Sequence, residues 1–115
     1  MSGAVTGRFA PTPSGRLHLG NLLCCLIAYL SARSQGGRFL LRIEDLDVPR
    51  CPGRLSDQCI EDLQFLGFDW DEEPLFQSER TEIYQKYFDK LSRMGLVYPC
   101  FCTRVDLHAA SAPHR

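Results

Sequence analysis

Apolar and polar positions follow two alternating periods along this chain, and each change of period marks an element. Residues 5–10, Val5-Thr6-Gly7-Arg8-Phe9-Ala10, form a short extended run that predicts a buried first strand. Leu22, Leu23, Leu26, Ile27 and Leu30 then recur at helical spacing, which predicts an amphipathic helix over about 20–35, stopped by Gly36-Gly37. Arg38-Phe39-Leu40-Leu41-Arg42-Ile43 is a short apolar run with flanking charge and predicts a second strand. Strand, helix and strand at this length imply a βαβ unit with parallel strands.

The pattern continues past that unit. Leu55, Cys59, Ile60, Leu63 and Leu66 form the stripe of a second helix closed at Gly67. Phe68-Asp69-Trp70-Asp71-Glu72-Glu73-Pro74 reads as an acidic turn with buried aromatics, its Asp71-Glu72-Glu73 part solvated. Tyr84, Tyr87, Phe88, Leu91 and Met94 mark a third helix, with Ser78 as its expected N-cap and Gly95 as its stop. Trp70, Tyr84, Tyr87 and Phe88 are expected in the core. Residues 103–115 begin like a helix and lose the pattern.

Composition narrows the classes without choosing one. The chain has 115 residues, 44% hydrophobic and 23% charged, which suits one globular domain. A formal net charge of -1 gives no bulk argument for nucleic-acid binding. The longest apolar stretch, Leu22 to Leu30, is too short to cross a bilayer, and no leader pattern opens the chain, so a soluble cytoplasmic protein is the expectation, and a monomer is expected alongside it. The six cysteines do not read as a disulfide framework: Cys24, Cys25 and Cys59 fall inside helix patterns and are expected as buried thiols. Cys100-Phe101-Cys102 has the spacing of two zinc thiolates, although a structural site needs four ligands. His108 and His114 offer further donors by chemistry, and the alternative is a reduced pair.

The segment Gly7-Arg8-Phe9-Ala10-Pro11-Thr12-Pro13-Ser14-Gly15-Arg16-Leu17-His18-Leu19-Gly20-Asn21 joins the first strand to the first helix. A polar loop at a helix N-terminus is an anion site in the making. His18 there can donate to a phosphate oxygen, and Gly20 allows close approach. Arg8 offers a guanidinium fork for a carboxylate or phosphate. Glu44 and Asp45 leave the second strand at its carboxyl end, where ligands of parallel sheets sit, so they would share a crevice with Arg8. A carboxylate and a guanidinium together suit a zwitterion such as an amino acid. The plain alternative is a surface loop with a stray histidine and a surface ion pair. Asp45 and Asp47 read more readily as caps or surface groups than as ligands. Neither a Walker-type Gly-Lys loop nor Gly-x-Gly-x-x-Gly occurs.

Arg8-Phe9-Ala10-Pro11-Thr12-Pro13-Ser14-Gly15 followed by His18-Leu19-Gly20-Asn21 resembles the HIGH region of class I aminoacyl-tRNA synthetases. Arg42-Ile43-Glu44-Asp45-Leu46-Asp47, Leu66-Gly67-Phe68-Asp69-Trp70-Asp71 and Gln77-Ser78-Glu79-Arg80 resemble later landmarks of the glutamyl branch. Asn21-Leu22-Leu23-Cys24-Cys25-Leu26, Asp47-Val48-Pro49-Arg50-Cys51-Pro52-Gly53 and Tyr98-Pro99-Cys100-Phe101-Cys102-Thr103-Arg104 look more like the branch's short paralogue than its ordinary member. The resemblance implies an α/β, Rossmann-like (HUP-type) parallel-sheet half-domain over 1–98, with 99–115 as the start of a zinc-bearing insertion.

The paralogue activates L-glutamate with ATP and Mg²⁺, without tRNA, and esterifies it to queuosine in the anticodon stem-loop of tRNA(Asp). By that resemblance, His18, Gly20 and Asn21 would hold ATP. Arg8, Phe9, Ala10, Pro11, Thr12 and Glu44 would form the glutamate pocket, Arg8 on a carboxylate and Glu44 on the ammonium. Cys100 and Cys102 would be two of the zinc ligands. No Lys-Met-Ser-Lys-Ser-type segment is present, since the only lysines are Lys86 and Lys90, so the chain is expected to be an N-terminal portion that does not turn over alone. The alternatives are an ordinary glutamyl-tRNA synthetase fragment and a non-catalytic ATP- or glutamate-binding remnant.

Overall fold

The computed structural model describes residues 5–103 and 105–106. They divide into two units, 1–81 and 82–115.

In the first unit, strand β1, Thr6–Phe9, leads through a loop into helix α1, Leu19–Arg33. Strand β2, Arg38–Ile43, follows and pairs with β1 in parallel, Thr6 beside Arg38 and Phe9 beside Leu41. Helix α2, Gly53–Phe65, returns the chain to β3, Leu75–Phe76, which lies parallel to the end of β2. The sheet order is β1-β2-β3. This is the expected α/β, Rossmann-like arrangement. β3 was not expected: two residues are too few to show a period.

The core explains the strand assignments. Phe39, Leu41 and Ile43 alternate inward on β2 and meet Phe9, Cys25, Ala32, Cys59 and Leu63 in one buried cluster. Fully burying a side chain of this size contributes roughly 1.5–3 kcal/mol. Tyr29 closes the cluster edge-on, its ring centroid 5.2 Å from Phe39 and 5.3 Å from Phe68. Gly7 lets α1 approach β1, because a Cβ there would stand 2.9 Å from the Ala32 Cβ.

Helix α1 forms where expected but turns another face inward. Cys25 and Ala32 are its buried residues, while Leu23, Leu26, Ile27 and Leu30 are 41–60% exposed. Leu22 of the expected stripe packs against the core with Ala28 and Tyr29, and where the helix crosses Gly7 only a small residue, Ala32, fits; the rest of the leucine stripe faces away. Cys24 is exposed, against the expectation, and Cys51 is buried along with Cys25 and Cys59.

The acidic turn after α2 is tied down. Asp71 accepts a hydrogen bond from the Phe39 amide at 2.6 Å and from Arg33 at 2.8 Å, and its own amide donates to the Phe39 carbonyl at 3.0 Å. Arg33 also donates to Asp69 at 2.6 Å. Asp71, Glu72 and Glu73 are exposed, as expected, but Asp71 also clamps the start of β2. Trp70 is half-buried against the core, as expected.

Gln77–Arg80 forms a 3₁₀ turn that leads into helix α3, Thr81–Arg93. Ser78 therefore does not cap α3. Its amide and hydroxyl donate to the carboxylate of buried Asp45, at 2.9 and 2.7 Å. In the second unit, Tyr84 is half-buried, while Tyr87 and Phe88 are exposed rather than in the core. The helical period fixed the stripe of α3 but not a partner for it. No described helix is long and apolar enough to cross a membrane.

Candidate functional site

The β1–α1 loop builds a concavity of about 590 Å³ lined by Phe9, Ala10, Pro11, Thr12, Ser14, Gly15, Arg16, Leu17, His18 and Asn21. Most of the residues expected to bind glutamate and ATP thus meet in one place. Phe9 contributes only its rim: its ring is buried in the core. Thr12, His18 and Gly20 are exposed, and Asn21 is half-buried. Pro11 and Pro13 are buried and anchor the loop from below.

The helix entry is organised by His18. It is the N-cap of α1, with extended backbone, and its Nδ1 accepts from the Gly20 amide at 3.1 Å and the Asn21 amide at 3.4 Å. In return the Asn21 side-chain oxygen accepts from the His18 amide at 3.2 Å, completing a capping box. Two otherwise orphaned helix amides are satisfied, and the positive end of α1 opens on the concavity. With Nδ1 accepting, the neutral ring carries its proton on Nε2, a donor available to an anion. The sequence placed His18 at this position, but not its cap role; a histidine followed three residues later by an amide side chain was the available signal.

Arg8 and Glu44 are placed differently. Arg8 lies on the other side of β1 from Phe9 and lines a second concavity of about 210 Å³ with Leu40, Leu41, Arg42, Glu72, Glu73 and Leu75. Glu44 forms an ion pair with Arg42. Arg42 therefore stands between the two groups expected to share a crevice, and no sequence signal singled it out. The Glu44 amide donates to the Pro11 carbonyl at 2.9 Å, which ties the carboxyl end of β2 to the loop of the first concavity. The loop concavity lies at the carboxyl end of β1, where parallel sheets bind ligands, whereas the second runs along Arg8 and residues 40–42 beside the Glu72-Glu73 turn, and Glu44 lines neither. Asp45, next in the chain, holds Ser78 and so acts as a cap.

Cys100 and Cys102 are exposed free thiols. Among the described residues no group of three His, Cys, Asp or Glu side chains could hold a metal. Two thiolates alone do not fit a four-coordinate structural zinc. His108 and His114 lie outside the described residues.

The family model of tRNA synthetases class I (E and Q), catalytic domain, matches residues 4–112. A glutamyl-Q tRNA(Asp) synthetase of Symbiobacterium thermophilum is 53% identical over 94% of this chain and 36% of its own length. One of Rhodopirellula baltica is 51% identical over 99% of this chain and 35% of its own. The chain thus spans about a third of the length of these curated relatives. Among solved structures, the glutamate-tRNA synthetase of Elizabethkingia anophelis superposes with a TM-score of 0.76 at 36% identity, covering 96% of this chain and 24% of that one. A glutamate tRNA ligase of Elizabethkingia meningosepticum, solved in complex with its amino acid, gives a TM-score of 0.75 at 36% identity.

Proposed function

This chain belongs to the class I tRNA synthetases (E and Q), catalytic domain, and on that premise we propose that it is the part of a glutamyl-Q tRNA(Asp) synthetase that binds ATP and glutamate. The observation that carries the reading is the concavity at the start of α1, where His18, the helix N-terminus and the Phe9–Thr12 segment converge. The relatives' names support glutamate as amino acid and queuosine-bearing tRNA(Asp) as acceptor.

In the proposed chemistry a carboxylate oxygen of glutamate attacks the α-phosphorus of ATP, the bond to the leaving pyrophosphate breaks, and glutamyl adenylate forms. The protein's work is positioning and electrostatics. His18 donates from Nε2 to phosphate oxygens on which charge grows, and the amide end of α1 adds its partial positive charge. Gly20 leaves room for that ring, and Asn21 closes the cap behind it. Arg8 holds a glutamate carboxylate, Thr12 donates from its hydroxyl, Ala10 and Pro11 shape the wall, and Glu44 holds the ammonium group. Mg²⁺ enters with ATP. A hydroxyl of queuosine then attacks the acyl carbon and AMP leaves. Residues 1–98 are read as the catalytic half-domain and 99–115 as the start of an insertion in which Cys100 and Cys102 would be two of the four ligands that a zinc requires.

The second reading, an ordinary glutamyl-tRNA synthetase, is favoured by the two Elizabethkingia structures. It loses to the first on identity, 36% against 53%.

A hybrid decides between them. Residues 1–115 replace the matching third of the Symbiobacterium relative, and isotopic pyrophosphate–ATP exchange is measured with glutamate and no tRNA. The expected result is glutamate-dependent exchange, lost by about 100-fold or more in Glu44→Ala with the fold intact, as when a group that orients the reacting substrate is removed. An inactive hybrid beside an active parent overturns the catalytic reading. Charging of tRNA(Glu) in place of queuosine-bearing tRNA(Asp) supports the ordinary synthetase.

A further inference from the structure

We infer that Asn21 is a positioning residue, which acts on an anionic ligand by fixing where His18 carries its proton, and that Gly20 serves the same end by sterics. The inference rests on the reading of this concavity as an ATP site and adds to it the means by which the site's donor is set.

The Asn21 side chain is committed through one atom. Its oxygen accepts from the His18 amide at 3.2 Å, and because that partner is an N–H, the oxygen end of the carboxamide must face it. The same bond holds the backbone of residue 18 in its extended, N-cap conformation. From that backbone the imidazole folds over the first turn, and Nδ1 meets the Gly20 and Asn21 amides. A proton on Nδ1 would point at two N–H hydrogens and lose both bonds, so the proton resides on Nε2.

Gly20 leaves the space this ring needs. A Cβ at residue 20 would stand 3.1 Å from His18 Cε1 and 3.2 Å from Nδ1, tighter than ordinary contact. The ring would have to give by a few tenths of an ångström, which strains cap bonds that are already 3.1 and 3.4 Å long. With the Nδ1 bonds weakened, the imidazole would populate both tautomers. In the Nδ1–H form, Nε2 presents a lone pair where the anion's oxygens arrive, and the contact turns from attraction to repulsion. Removing the group that fixes the donor therefore weakens binding of the anion.

The test reads the ring directly in the 115-residue chain. Long-range proton–nitrogen correlations of the ¹⁵N-labelled protein at about pH 8, above the ordinary imidazole range, report which nitrogen is protonated; the His18 signals are identified by their absence in His18→Asn. Wild type is expected to show protonated Nε2 and bare Nδ1. Asn21→Ala and Gly20→Ala are both expected to show a mixture of tautomers. Asn21→Asp, which keeps an oxygen acceptor and lacks the NH₂ group, is expected to restore the single form.

Wild-type ring signals in both Asn21→Ala and Gly20→Ala overturn the inference. So does a mixture in Asn21→Asp, since the NH₂ end would then matter. If amide spectra show Asn21→Ala unfolded, Gly20→Ala alone decides. Titration with ATP separates the underlying reading: the dissociation constant is expected to rise about tenfold in Asn21→Ala, as when one hydrogen bond to a charged group is weakened. Wild-type His18 signals that ATP does not move overturn the ATP assignment while leaving the tautomer result in place.

Discussion

At His18 the two ring nitrogens face different tasks: Nδ1 caps α1 and Nε2 is left for a ligand. The tasks can be separated by substitution. Asparagine is among the best N-caps, so His18→Asn is expected to unfold in urea within about 0.5 kcal/mol of wild type, while His18→Ala loses about 1 kcal/mol. Both are expected to lose ATP binding in a calorimetric titration. ATP binding retained by His18→Asn would remove the imidazole from the site and leave only the helix terminus. The sequence made His18 legible as a donor at a helix start, because position and residue type suffice for that. It did not make Arg42 legible. The pairing of Arg42 with Glu44 depends on two side chains of one strand end turning to the same face, and in the sequence Arg42 is one more charged residue flanking an apolar run.

Elements here are fastened by carboxylates at the two ends of β2. At its carboxyl end, buried Asp45 accepts two bonds from Ser78. Hydrogen bonds to a charged acceptor contribute about 1.5–3 kcal/mol each before the removed group's own desolvation is offset. Asp45→Ala is therefore expected to lose about 2 kcal/mol in chemical denaturation, with β3 and the 3₁₀ turn the first amides to lose protection from hydrogen exchange. At its amino end, Asp69 is held below the usual carboxylate range first by its bond from Arg33, and Asp71 first by its bond from the Phe39 amide. Both folded values lie below the ordinary 3.8, so their stabilisation is complete above that pH and is lost as pH falls through the depressed values. The midpoint of thermal unfolding is expected to drop on acidification below about pH 4, and to drop less in Asp71→Asn. An acid limb unchanged in that variant would deny the clamp its role. Helix and strand positions were legible because their periods are. The clamps were not, because a surface aspartate and a clamping one look alike until the fold brings residue 71 beside residue 39.

For the whole chain, the cysteines report how the core is sealed. Burial pushes the Cys25 and Cys59 thiols up to about 11 from 9.0, each raised further by a neighbour, Cys59 for the first and Asp62 for the second; Cys51 is raised mainly by burial as well. Native protein is expected to react with a thiol reagent quickly at Cys24, Cys100 and Cys102, and at Cys25, Cys51 and Cys59 only on unfolding. Rapid native labelling of Cys25 would mean that α1 does not seal the sheet as described. The shifts also give an alkaline limb: the raised thiols stabilise the fold below pH 9.0, and that contribution is lost as pH rises through about 11. The general plan of the fold and most of the loop site were legible from the chain. The face that α1 buries was not, since the leucine stripe is the more hydrophobic side and the contact between Gly7 and Ala32 overrules it. That contact has a consequence for how such a sequence drifts over generations. Positions 7 and 32 share one fixed volume, so neither can gain a methyl group alone. A lineage must leave both small or change the helix-to-sheet spacing on which the His18 end of α1 depends. Residue 32 lines no part of the loop concavity, far along the helix from His18, and is constrained in size all the same.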